Sequence, residues 1–220
     1  NNNHVVPILS GGTGLYVQSL LENYNFNDIK PNTKLRIELD ELYTEYGVDG
    51  LREYAQNLAE KGGIEIKYTD KHRLYRAIEL MTAGDYKSLI KQTKEGLSYK
   101  GPVIGLQRER SDLYDRINRR VEIMFEKGLV DEVKQLLKNG VNPNCQAFKG
   151  IGYKEVVQYL EGLISYDACV DLIQKNTRHF AKRQITWYKR MPYIEWITID
   201  SQTTEAEIYG MACNIIDSSF

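Results

Sequence analysis

Between Leu172 and Met191 apolar and cationic residues alternate at helical spacing. At about 100° per residue, Phe180, Ala181, Gln184, Ile185, Trp187, Tyr188 and Met191 fall on one arc. Lys175, Arg178, His179, Lys182, Arg183, Lys189 and Arg190 fall on the other. The pattern predicts one long helix with a core face and a basic face. At the start of the chain, the β-branched run Val5 to Leu9 precedes the glycine turn Ser10-Gly11-Gly12-Thr13-Gly14, after which Leu15, Val17, Leu20 and Leu21 follow helical spacing. That predicts strand, turn, helix.

From Asn32 to Glu60 two helical patterns are separated at Gly47 and closed by Gly62-Gly63, and Asp70 caps a further helix to about Ala83, with Leu74, Ala77, Ile78 and Met81 inward. Lys87 to Lys100 is polar and lysine-rich, as a loop or frayed helix would be. Pro102 to Leu106 reads as a buried strand, and a helical hairpin follows, with a first helix from Ser111 to Gly128 and a shorter one closed by Gly140. Ile194 to Ile199 is a strand and Thr204 to Ile216 a terminal helix.

Composition changes this picture in one respect. The chain has 220 residues, is 42% hydrophobic and 27% charged, and carries a net charge of −1, enough for one sizeable core and a smaller lobe. A nucleic-acid site must then come from local segregation of charge. The helix at Leu172–Met191 supplies it, because no Asp or Glu interrupts the span between Asp171 and Glu195. An unmixed cationic ridge suits a polyanion, either a diphosphate or a nucleic-acid backbone; the plainer alternative is a solvated charged face. Arg116, Arg119 and Arg120 are offset by Asp112, Asp115 and Glu122, so there the solvated face is expected.

Cys145, Cys169 and Cys213 have neither disulfide-framework nor zinc spacing, which points to a reducing compartment and no structural metal site. The apolar runs are too short to span a bilayer, Asn1 to Leu9 is no signal peptide, and a cytoplasmic location is expected.

Further segments carry candidate chemistry. The glycine turn offers backbone amides and a helix start to an anion, and Thr13 adds a hydroxyl that could equally be a plain cap. His72, Arg73 and Arg76 project from the first turns of the Asp70-capped helix, where positive charge is unfavourable with the dipole. Gln146 to Glu155 places two rings and two lysines on a glycine-rich backbone, suited to clamping a nucleotide chain or simply to entering a helix.

GGTGLY at Gly11–Tyr16, GIGYKE at Gly150–Glu155 and TRHFAKRQITWYK at Thr177–Lys189, with DKHRLYRAIE at Asp70–Glu79 and the stretch Leu113–Val133, resemble the tRNA dimethylallyltransferases in the same order, over nearly the whole chain. The resemblance implies an α/β fold. Its P-loop NTPase-like, nucleotide-binding core carries a short parallel sheet, incomplete here, and a large, mainly helical insertion, with divisions at 1–30, 31–100 and 101–220. It implies transfer of a dimethylallyl group from its diphosphate, with Mg²⁺, to the exocyclic amine of the adenosine 3′ to the anticodon of tRNA. The family's ATP-binding-type P-loop and its proton-accepting aspartate segment are expected upstream of residue 1. No carboxylate of this chain is therefore assigned as base, and the chain alone is expected to be inactive.

Carried over by position, Thr13 matches the threonine near the reacting adenosine, and Arg178 and Arg183 match the basic positions of the TR-x-x-AKRQ helix; Arg178, with Arg183, is expected to engage the diphosphate, because the charge building on the leaving group must be neutralised. Arg36, the segment His72, Arg73, Leu74, Tyr75 and Arg76, and the segment Lys149, Gly150, Ile151, Gly152, Tyr153 and Lys154 match tRNA-contacting positions. His72 stands where the family pattern has glutamine, and Leu58 to Tyr68 departs from the family's acidic-proline pattern. Phe148 and Tyr153 are expected to help extrude the base. A monomer is expected. An adenylate (cytokinin-type) isopentenyltransferase and a non-catalytic tRNA-binding module are the alternatives.

Overall fold

The computed structural model describes residues 6–24, 29–90 and 97–219. Asn1 to Val5 and residues 91–96 of the lysine-rich stretch lie outside them. The chain divides into two compact units, residues 18–98 and, together, residues 1–17 and 99–220.

Within the helical unit, residues 18–98, α2 (Thr33–Lys61) is broken at Gly47, whose φ of 65° and ψ of −155° interrupt the helical backbone. A side chain at that φ would be strained, so glycine suits the break that separates the two helical patterns. α3 (Lys71–Thr82) begins at Asp70, which accepts a hydrogen bond from the Arg73 amide at 3.1 Å. Leu35, Leu39, Leu51, Ala55 and Ala59 of α2 pack against Leu74, Ala77, Ile78 and Met81 of α3. The amide of Ser98 donates to the carbonyl of Leu21 at 2.8 Å, bringing the two ends of the unit together.

Glu79 is buried among these apolar groups at 3% exposure. It accepts hydrogen bonds from Arg36 Nε at 2.7 Å, Arg36 Nη2 at 3.1 Å, the Asn32 amide at 3.0 Å and Arg76 Nη1 at 3.3 Å. Burial pushes its carboxyl up, but the bonds from Arg36, Asn32 and Arg76 outweigh burial and hold it below the usual carboxylate range. A depressed carboxyl contributes stability that is present above the unfolded value and is lost as pH falls through the folded one. Glu79→Ala is therefore expected to cost about 2–3 kcal/mol at pH 7. Urea melts of the two proteins should converge between roughly pH 5 and pH 3; a pH-independent gap would mean the loss is packing alone.

In the second unit, β1 (Val103–Arg108) pairs in parallel with β2 (Ile194–Ile199), in the register Val103 to Ile194 through Arg108 to Ile199. Parallel pairing requires a long crossover. It is made by α4 (Arg110–Glu126), α5 (Leu129–Lys138), α6 (Tyr153–Leu160) and α7 (Tyr166–Tyr188), and α8 (Glu205–Ser219) packs on β2. Val121, Phe125, Val133, Phe148, Val156, Cys169 and Ile173 form the core of the crossover.

The strand expected at the start of the chain is not formed over residues 6–9, and Val6 and Ile8 are 81% and 89% exposed. Strand propensity has no effect without a ladder partner, and none of the described residues provides one. The strand expected at Pro102–Leu106 does form, but it is half-buried rather than buried, and Leu106 is 56% exposed. β2 is its sole partner among the described residues.

Burial, with Glu155 nearby adding to it, pushes the Cys169 thiol up to about 11. In the folded protein at pH 8, iodoacetamide should modify half-exposed Cys145 and Cys213 and spare Cys169; in urea all three should react. Mass spectrometry reads the difference, and equal labelling of Cys169 in both states would contradict the packing around it.

Candidate active site

α7 starts at Ser165, whose hydroxyl accepts from the Ala168 amide at 3.2 Å, with Asp167 in the first turn where the dipole favours a negative charge. Its N-terminal half is embedded, with Cys169 and Ile173 fully buried. Of the arc expected to be core over the C-terminal half, Met191 is buried, but Ala181, Gln184, Ile185, Trp187 and Tyr188 are half-buried and Phe180 is 43% exposed.

The glycine turn is seated directly on this helix. Gln184 Nε2 donates to the Gly12 carbonyl at 2.8 Å. A Cβ at Gly14 would stand 2.3 Å from Cδ1 of the Trp187 ring, so only glycine allows the approach. α1 (Gly14–Leu21) begins there, with the Thr13 carbonyl accepting from the Tyr16 and Val17 amides. The exposed Thr13 hydroxyl makes no hydrogen bond among the described residues, so it is not consumed as a cap.

An open cleft of about 470 Å³ lies along the helix, lined by His179, Lys182, Arg183, Thr186, Trp187 and Arg190. It has cationic walls and no acidic residue. The Trp187 indole N–H and the Tyr188 hydroxyl are buried without a partner among the described residues, an arrangement that costs about 1–3 kcal/mol per group when left unmet. Burial pushes the Tyr188 phenol up.

Arg183 lines this cleft, with its guanidinium 5.9 Å from the Phe180 ring centroid. Arg178 lies outside the lining, one turn before Lys182, half-buried, and donates from Nη1 to Asn118 Oδ1 of α4. Gln174 Nε2 donates to the Asn118 carbonyl at 3.4 Å, and Asn176 Nδ2 donates to Glu155 at 2.8 Å.

The other carboxylate oxygen of Glu155 accepts from the Gly152 amide at 2.8 Å, tying the segment Gly150–Lys154 to α7 through α6. Gly152 has a φ of 105°, which a side chain would strain. Lys149, Gly150, Ile151 and Lys154 are exposed around this turn, whereas Gly152 is buried. Tyr153 is half-buried, with its hydroxyl donating to Glu132. Phe148, expected to stack on a base, is only 3% exposed; its ring packs 5.5 Å from that of Tyr153 in the core cluster.

In the helical unit, His72 and Arg73 are exposed, and Arg36 and Arg76 are half-exposed and held on Glu79. Leu74 is fully buried and Tyr75 is 6% exposed, its hydroxyl donating to Asp40 at 2.8 Å. Their side chains are core groups on the inward arc of α3, so of the segment His72 to Arg76 the side chains of His72, Arg73 and, in part, Arg76 reach the surface. Among the described residues, no three His, Cys, Asp or Glu side chains gather as a metal-ligand set.

Asn118, Gln174, Asn176, Glu155 and Gln184 were missed as site residues by sequence reasoning. A signal existed for some of them. Gln184 is polar on an arc otherwise apolar, and Glu155 stands three residues after a glycine helix start, the capping position.

The second unit thus combines the parallel pair β1–β2 with a glycine turn seated on α7, which carries no acidic residue after Asp171. Residues 1–191 match the family described as IPP transferase. A tRNA dimethylallyltransferase of Clostridioides difficile (strain 630) is 38% identical over 91% of this chain and 65% of its own length. One from Alkaliphilus metalliredigens (strain QYMF) is 37% identical over 95% of this chain and 68% of its own length. The chain thus spans about two thirds of the length of these relatives.

The crystal structure of the full-length tRNA isopentenylpyrophosphate transferase from Bacillus halodurans is 33% identical with a TM-score of 0.58, covering 94% of this chain and 65% of that one. The corresponding transferase structure from Staphylococcus epidermidis is 31% identical with a TM-score of 0.58, covering 94% of this chain and 67% of that one. The chain belongs to the IPP transferase family.

Proposed function

We propose that the full-length protein transfers a dimethylallyl group from dimethylallyl diphosphate to the exocyclic amine of the adenosine 3′ to the anticodon of tRNA. The observation that carries this is the seating of the Gly11–Gly14 turn on α7 through Gln184 and Trp187, beside the cleft lined by His179, Lys182, Arg183 and Arg190. The unconsumed hydroxyl of Thr13 is thereby carried next to the helix that bears Arg178 and Arg183. The adenosine nitrogen forms a bond to the prenyl carbon as that carbon's bond to the diphosphate oxygen breaks. The amine proton passes to a base, and diphosphate departs. Arg178 neutralises the charge that grows on the leaving oxygens, with Arg183 assisting, because a guanidinium meets them in bidentate fashion.

Lys149 and Lys154 are exposed on the Glu155-anchored turn and grip the tRNA backbone, joined by Arg36, His72, Arg73 and Arg76 of the helical unit. Mg²⁺ accompanies the diphosphate. The protein works in the cytoplasm as a monomer.

Label transfer from dimethylallyl diphosphate with Mg²⁺ tests the reading, using unmodified tRNA with adenosine 3′ of the anticodon and adenosine monophosphate in parallel. Label on tRNA alone is expected. Label on the nucleotide, or tRNA binding with no transfer, would overturn it.

A further inference from the structure

Arg178 and Gln174 are one turn apart on α7, and both end on the same residue of α4. Arg178 Nη1 donates to the side-chain oxygen of Asn118, and Gln174 Nε2 donates to its backbone carbonyl. We infer that Asn118 is a positioning residue for the reaction: it holds the Arg178 guanidinium in the orientation that receives the diphosphate. This rests on the assignment of Arg178 under the proposed function.

The chemistry favours an amide at this place. A long arginine side chain on a helix surface samples many rotamers, and fixing it beforehand removes an entropy cost from substrate binding. Asn118 does so with a neutral acceptor, so the full positive charge stays available to the leaving group. The guanidinium has five N–H donors, and this bond occupies one nitrogen. The second bond, from Gln174 to the Asn118 backbone, sets the register of α7 against α4 independently of the side chain. Removing the side chain therefore loosens Arg178 without freeing the helix.

The test uses Asn118→Leu, which keeps size and helix propensity but removes the acceptor, and Asn118→Asp, which keeps an acceptor oxygen. Asn118→Ala, which only opens space, serves as a second variant with the outcome expected of leucine. In the full-length protein Asn118→Leu should raise KM for dimethylallyl diphosphate about tenfold, as loss of one hydrogen bond to a charged group would. It should change kcat and tRNA affinity by less than about threefold, and Asn118→Asp should also raise KM, because a carboxylate would pair with the guanidinium and compete with the diphosphate.

In an Arg178→Ala background, Asn118→Leu should have no further effect. Wild-type KM in Asn118→Leu and Asn118→Ala, or an effect that adds in full to that of Arg178→Ala, would overturn the positioning role while leaving the assignment of Arg178 intact. An unchanged KM in Arg178→Ala alone would overturn that assignment, and the positioning role with it. Equal thermal midpoints for Asn118→Leu and wild type are expected, and a tRNA defect matching the diphosphate defect would mark the residue as merely structural.

Discussion

Arg178→Ala in the full-length protein is expected to lower kcat/KM for dimethylallyl diphosphate by roughly 10²–10³-fold, the usual loss when one donor to a developing oxyanion is removed. tRNA affinity should stay within about threefold of wild type. The split follows from where the residue sits. Arg178 lies in the middle of α7, held by α4, whereas the exposed lysines of the Gly150–Lys154 turn are carried by a different element. Arg178→Lys should recover only part of the activity, since an ammonium supplies charge without the planar fork. A defect confined to tRNA binding would remove Arg178 from the diphosphate site.

Lys149→Ala combined with Lys154→Ala is expected to weaken tRNA binding roughly tenfold or more and to lower the slope of log K against log salt by roughly 1.4–1.8, since two phosphate contacts are lost. KM for the prenyl donor should be nearly unchanged. Both ammonium groups are exposed and flank a turn whose backbone is fixed by Glu155 and by the positive φ of Gly152, so neither substitution disturbs the fold around them. An unchanged salt slope would mean that these lysines only solvate the helix start.

The helices were legible in the sequence where a stop signal and an apolar period coincided. Asp70 with Leu74, Ala77, Ile78 and Met81 gave α3 nearly to the residue, and Gly47 marked the break in α2. β2 was legible because Ile194, Ile197 and Ile199 point into the core of their own unit. The first strand was not, since Val6 to Leu9 carries strand residues and a ladder depends on groups elsewhere in space. Periodicity also overstated the burial of Phe180, because an arc specifies direction and not what stands opposite.

At the site, the cationic face of α7 and the glycine turn could be read from residue order, but their contact through Gln184 and Trp187 could not. The two residues are separated from the turn by the whole helical unit and crossover. Asn118 was invisible for the same reason: an asparagine in a helix rich in Arg and Asp reads as solvated, and its role appears only when α4 lies against α7.

The most direct test of the account is a crystal structure of the full-length protein with a thio-linked dimethylallyl diphosphate analogue and an anticodon stem-loop. The account predicts the diphosphate within about 3.2 Å of the Arg178 guanidinium, with the adenosine drawn out of the loop beside Thr13. A diphosphate bound away from α7, with Arg178 still turned to Asn118 alone, would contradict it.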